Sequence, residues 1–157
     1  METAAVTAGV AGTIEAIYRQ EADRLWRALF AFAADAEIAS DSVAEAFAQA
    51  IRRGPAIRDA RAWVWKAGFR IASGELKRRS RTTDAIPEGW YTEPEADAEL
   101  LAALARLPDG QRAAVILHYY TDASVREIAQ RTGMSQLSVR ANLSRGRKRL
   151  KLLLGDR

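Results

Sequence analysis

The chain has no cysteine. Disulfides, thiolate metal sites and cysteine nucleophiles are therefore all excluded. There is one histidine, His118, in the apolar run VILHYY, where a packed ring is expected rather than a catalyst. Neither a glycine-rich phosphate loop nor a nucleophile motif appears, and carboxylates pair only along helix faces. The expectation is a protein that is not an enzyme and holds no cofactor or metal. No apolar run nears the ~20 residues that span a bilayer. The start, METAAVTAGVAGT, lacks the basic and apolar regions of a secretion signal. A cytoplasmic protein without a membrane partner is expected. Only four prolines occur, and they fall with glycine between periodic segments. No stretch alternates as a strand does, so the fold class expected is all-α.

Charge is plentiful but unevenly placed. Residues 1–51 carry three basic and eight acidic side chains, whereas residues 52–81 carry ten basic against Asp59 and Glu75. Residues 82–100 hold six acidic side chains and no basic one; residues 135–157 hold seven basic ones against Asp156. Two basic blocks separated by an acidic spacer suggest two contacts with nucleic acid.

Hydrophobic spacing predicts a first helix over about 13–32, with Ile14, Ile17, Tyr18, Leu25, Leu29 and Phe32 inward. A second starts at the N-cap Asp35 and runs to about Arg53, its apolar line being Val43, Phe47 and Ile51. Gly54-Pro55 ends it. A third begins near Asp59, with Trp65, Phe69, Ala72 and Leu76 on one face. The segment RTTDAIPEGWYTEPE breaks the periodicity and predicts a flexible linker, with Trp90 and Tyr91 free to dock on a neighbour. Beyond it, Leu100, Leu101, Leu104 and Leu107 build a helix, Pro108 stops it, and residues 110–120 build another. The predicted architecture is two small helical domains, 13–79 and 96–154, joined by the acidic linker 80–95. A monomer is expected.

The most specific stretch is Ser124 to Leu154. Ser124 and Glu127 have the spacing of a capping box, and Val125, Ile128 and Ala129 give an apolar face. Gly133 supplies a turn, Ser135 an N-cap, and Val139, Leu143, Leu150 and Leu154 a buried stripe for a second helix. Arg140, Arg145, Arg147, Lys148, Arg149 and Lys151 are left outward. This is the layout of a helix-turn-helix whose second helix enters the major groove. A basic amphipathic helix alone would equally suit a solvated face, a membrane surface or a partner helix.

With these residues in view, the chain resembles a bacterial sigma-70 family RNA polymerase sigma factor of the extracytoplasmic-function (ECF) group. The resemblance runs from about residue 14 to 154. It is closest over LARLPDGQRAAVILHYYTDASVREIAQRTGMSQLSVRANLSRGRKRL, which is similar to sigma region 4 at Leu107-Pro108, Gln111-Arg112, Glu127-Ile128-Ala129, Gly133, Ser135, Val139, Leu143 and Arg145. A LuxR-type output domain shares some of these elements, but the N-terminal domain argues against it. There, Asp41, Val43, Glu45 and Phe47 match the D-x-V-Q-E-x-F signature of region 2, and Ala62-Trp63 resemble the helix that reads and melts the −10 element.

The resemblance implies a dissociable specificity subunit. Its partners would be core RNA polymerase (the β′ clamp helices and β flap), promoter DNA both double-stranded and melted, and an anti-sigma factor. The stripe Glu37, Asp41 and Glu45 would bind core polymerase, as an acidic surface suits a basic partner. Arg58, Trp63, Arg70, Lys77 and Arg78, with Arg79 and Arg81, would serve the −10 side, and the loop from Arg53 to Arg58 would cradle an unstacked base. Trp65 and Phe69 read as core, and packing is also the commoner role for a residue placed like Trp63. Gln136, Arg140, Asn142, Ser144, Arg145 and Lys148 would read or position the −35 element. The acidic linker would pass near the RNA exit path. Three positions depart from the family pattern: Ala44 replaces the signature glutamine, and Arg70 and Gly74 stand where asparagine and aspartate are usual. A sigma-derived DNA-binding regulator that has lost core binding or melting therefore stays open as an alternative.

Overall fold

The computed structural model describes residues 2–80 and 98–155, with side chains over 12–79 and 98–155. Of the expected linker, Ser80 is the last residue of α3, and the rest, including Arg81, Trp90 and Tyr91, lies outside the described residues. Among the described residues there are seven α-helices and no strand: α1 (Glu2–Ala33), α2 (Ala36–Arg53), α3 (Ala60–Ser80), α4 (Ala98–Ala105), α5 (Asp109–Tyr120), α6 (Val125–Thr132) and α7 (Gln136–Leu154). A short 3₁₀ turn, Gly54–Ala56, links α2 to α3. No described helix is long and apolar enough to cross a membrane.

Helices α1, α2 and α3 pack on one another around Leu25, Leu29, Ile38, Val64 and Trp65, all at most 1% exposed. The second group, α4 to α7, closes around Leu107, Leu117, Ile128 and Val139. Local chemistry sets the ends. Asp35 caps α2 by accepting the Ile38 amide at 2.9 Å. Gly54, at φ 55°, ends that helix in a conformation open to glycine. The first helix runs further toward the N-terminus than its apolar spacing predicts, to Glu2.

Two residues expected inward are not. Ile51 is 60% exposed. A step of four residues turns an α-helix about 40° past a full circle, so a line of fours drifts off the buried face by its third member. The stripe α2 buries is Val43, Ala46, Phe47 and Ala50. Tyr18 is half exposed: its ring meets Phe47 edge-on at 5.0 Å, and the rest of it stays in solvent. Leu100 is 39% exposed, while Leu101, Leu104 and Leu107 are buried. Of the stripe expected on α7, Val139 and Leu143 are buried, whereas Leu150 and Leu154 are only partly covered.

The two groups of helices are docked. Helix α6 lies on α3, and Arg131 of α6 sits 4.8 Å over the Trp65 ring. Arg112 of α5 reaches the end of α1, donating to the Phe32 carbonyl at 2.8 Å. Arg24 of α1 donates to the carbonyl of Thr121, and Ser73 of α3 donates to the Asp109 carboxylate at the start of α5.

Candidate nucleic-acid interface

The helix-turn-helix is assembled by short-range bonds. Ser124 Oγ accepts the Glu127 amide at 3.1 Å, and Glu127 Oε1 accepts the Ser124 amide at 3.2 Å. Donation to the Glu127 carboxyl from the Ser124 backbone first, and from its hydroxyl second, holds that carboxyl below the usual carboxylate range. Gly133 takes φ 79° at the turn, and its amide donates to the Ala129 carbonyl. Ser135 then caps α7 by accepting the Ser138 amide at 3.1 Å.

Helix α7 is held against α5 by Val139, Leu143 and Gly146, all buried. The approach is close at Gly146, where an added Cβ would meet Val115 Cγ2 at 2.7 Å and the Gln111 carbonyl at 3.4 Å. This seating leaves Gln136, Arg140, Ser144, Arg145 and Lys148 exposed. Arg147 instead lies over the Tyr119 ring at 5.4 Å. Asn142 differs from the expectation that it is free to pair with adenine. It is half-buried, its amide donates to Met134 Sδ at 3.2 Å, and it sits beneath Gly110. The reason is angular: Asn142 is adjacent to Leu143 and flanks the buried stripe, so α5 covers it.

On the α3 side, Arg58 and Trp63 line a cavity of about 270 Å³, with Lys66 beside them. The guanidinium of Arg53 stands 5.8 Å from the Trp63 ring centre. Trp63 is half-buried, while Trp65 and Phe69 belong to the core. Arg70 is exposed and donates to Gln49 at 3.1 Å. Lys77 is exposed, and Arg78 pairs with Glu75 at 2.6 Å. Arg79 is committed to the fold: it bridges Asp35 at 2.6 Å and Glu75 at 3.6 Å, tying the end of α3 to the start of α2.

On α2, Glu37, Asp41 and Glu45 are exposed along one face, as the spacing of four requires. Glu45 accepts from Gln49 at 3.0 Å and Arg52 at 2.9 Å, and these bonds lower its pKa in that order. The acidic stripe thus ends in a basic partner, Arg52. Ala44 is exposed between Asp41 and Glu45, so its methyl leaves that part of the face without a polar group.

Sequence reasoning missed four residues at the seam. Gln130 of α6 completes the wall of the cavity beside Trp63, and Lys66 lies under the Gly133 turn. Glu21 is 2% exposed on α1 and faces Arg61 at 3.4 Å. Arg112 donates to three carbonyls, those of Phe32, Leu107 and Ala105, and so satisfies chain ends from both groups of helices. Nothing local signals the roles of Gln130, Lys66 and Arg112. Glu21 occupies the inward face of α1 between Ile17 and Leu25, a placement the apolar spacing could have exposed.

Residues 97–150 match the family model for sigma-70 region 4. The chain is 28% identical, over an alignment of 151 residues, to the ECF RNA polymerase sigma factor SigE of Mycolicibacterium smegmatis. That match takes in 86% of this chain but 59% of SigE, so the chain spans less than two thirds of that relative's length. It is also 28% identical to the ECF RNA polymerase sigma factor SigL of Mycobacterium tuberculosis, with 95% of this chain and 93% of SigL covered. The fold is similar to that of the sigma factor RpoE of Bartonella quintana, co-crystallised with the anti-sigma factor NepR. There the TM-score is 0.69 at 22% identity, covering 89% of this chain and 98% of that one. CnrH, solved with the cytosolic domain of CnrY, gives a TM-score of 0.74 at 21% identity, covering 96% of this chain and 93% of that one. The capped helix, the glycine turn and the cationic helix after it agree with the region 4 match: residues 97–150 carry a sigma-70 region 4 domain, and the chain is similar over most of its length to ECF RNA polymerase sigma factors.

Proposed function

We propose that this chain is a sigma subunit that binds core RNA polymerase and directs it to promoters. Residues 13–79 form the domain for core polymerase and the −10 element, 80–95 the connecting linker, and 96–154 the domain for the −35 element. The observation that carries the reading is the seating of α7. One side is fixed to α5 by Val139, Leu143 and Gly146, and the rest of the helix surface presents Gln136, Arg140, Ser144, Arg145 and Lys148 with no acidic residue among them. A rigidly held cationic helix after a tight turn is what the major groove accepts. Arg140 and Arg145 suit guanine edges, Ser144 and Gln136 base or phosphate, and Lys148 phosphate.

The face bearing Glu37, Asp41 and Glu45 docks on the β′ clamp helices, and the C-terminal domain meets the β flap. Arg58, Trp63, Arg70, Lys77 and Arg78 serve the −10 side, where the cavity beside Trp63 has room for an unstacked base. Its Gln130 wall comes from the other domain, so capture of a base there follows separation of α6 from α3. An anti-sigma factor is a partner by analogy with RpoE and NepR. The site of action is the cytoplasm, where polymerase and DNA are.

The test is run-off transcription with purified core polymerase and a pool of random promoter fragments. Transcripts that depend on the added protein are expected, and their upstream sequences give both elements. No transcript and no complex with core at micromolar concentration would overturn the sigma reading. With DNA binding retained, the same result would identify a sigma-derived regulator, the outcome toward which Ala44, Arg70 and Gly74 lean.

A further inference from the structure

Leu137 stands in the first turn of α7 and is 76% exposed. A single exposed leucine means little by itself; the setting of this one is informative. Val139 and Leu143, close by on the same helix, are buried. Leu137 stands on the opposite side, one turn before Ala141 and two before the exposed Ser144. Gln136 precedes it, Arg140 lies three residues on, and the sequence of α7 contains no aspartate or glutamate. An apolar group ringed by hydrogen-bond donors and cations is mismatched to an apolar protein groove. It fits a polyanion that has an apolar spot of its own. Duplex DNA has one in the major groove, the thymine 5-methyl group, and the first residues of a recognition helix are those that reach base edges.

We propose that Leu137 reads a thymine methyl group in the −35 element, next to the base pairs addressed by Gln136 and Arg140. The inference rests on α7 being the reading helix. It adds an apolar specificity contact beside the donor Gln136 and the cation Arg140 in the first turns of α7.

The test uses the full chain and deoxyuridine, which is thymine without its methyl. Duplexes selected from a random pool are remade with each thymine replaced singly by deoxyuridine, and affinities are measured for the wild type, Leu137→Ala and Lys148→Ala. At about 0.8 kcal/mol per buried methyl-sized group, the wild type should lose roughly threefold to tenfold at one thymine, or two adjacent ones. Leu137→Ala should bind the thymine and deoxyuridine duplexes equally, whereas Lys148→Ala should weaken every duplex and keep the difference. Alanine is a stronger helix former than leucine, and no buried contact is lost, so the variant keeps its fold. A flat deoxyuridine profile in the wild type, or an unchanged profile in Leu137→Ala, overturns the inference while leaving α7 a DNA reader. Failure to enrich any duplex overturns both. Loss of binding to anionic vesicles in Leu137→Ala, with its duplex profile unchanged, would assign the side chain to a lipid surface and equally overturn it.

Discussion

Gly68, Gly74 and Gly146 lie inside helices, and adding the same methyl group to each should have three different outcomes. Glycine within a helix is less favourable than alanine by about 0.8–1.0 kcal/mol, which each substitution recovers. At Gly74 an added Cβ has nothing within 4 Å, so Gly74→Ala should stabilise by about that full amount. At Gly68 the Cβ would meet Leu29 Cδ1 at 3.2 Å and Leu25 Cδ1 at 3.3 Å, both leucines fully buried. A few tenths of an ångström of adjustment there offsets most of the gain, leaving a change near zero. At Gly146 the contact is 2.7 Å to Val115 Cγ2, against the 3.5–4.0 Å that carbon pairs prefer. Valine is stiff about χ1, and the Gln111 carbonyl at 3.4 Å limits rolling of the helix. Overpacking of this kind costs about 1–3 kcal/mol, so Gly146→Ala should destabilise by about 1 kcal/mol after the propensity gain. Urea unfolding followed by far-ultraviolet circular dichroism measures all three. At roughly 2–4 °C per kcal/mol for a chain of this size, melting temperature should rise for Gly74→Ala and fall for Gly146→Ala. In a Val115→Ala background the sign at Gly146 should reverse. A uniform rise across the three single variants, or no reversal with Val115→Ala, would refute the packing argument and leave propensity alone in control.

Three further outcomes are expected. Arg112→Ala removes the donor to the carbonyls of Phe32, Leu107 and Ala105, two of these bonds being buried. It should lower stability by about 2–4 kcal/mol in urea titration, and a loss below about 0.5 kcal/mol would show that water takes its place. The Glu127 carboxyl is held below its ordinary 4.5, so its contribution is complete above that value and is lost as pH falls through the lowered folded value. Unfolding measured from pH 6 to pH 3 should show a shallower acid limb in Glu127→Gln than in the wild type; coincident limbs would contradict the capping-box geometry. Arg140→Ala and Arg145→Ala should each lose about 1–3 kcal/mol on selected duplexes and relax specificity. Equal losses on random DNA, measured by competition, would make both residues phosphate contacts.

What could be read in the residues alone is what neighbours three and four apart decide among themselves. The caps at Asp35, Ser124 and Ser135, the turn at Gly133, the acidic face of α2 and the cationic face of α7 all stand where the spacing puts them. Each depends on one or two turns of helix, so the local sequence contains both partners of every bond. The linker expected from a loss of periodicity falls on residues outside the described structure. Tertiary structure decided which members of an apolar face are covered, and which charges are. Ile51 is exposed because α1 and α3 reach only part of α2, and Asn142 is turned inward because α5 passes beside it. Arg112, Arg131 and Glu21 are buried because partners some 40 to 110 residues away converge on them: Phe32 on Arg112, Trp65 on Arg131, and Arg61 and Arg131 on Glu21. A charged side chain leaves water only where such partners are brought to it, and which distant partners arrive is a property of the packed helices rather than of any one of them.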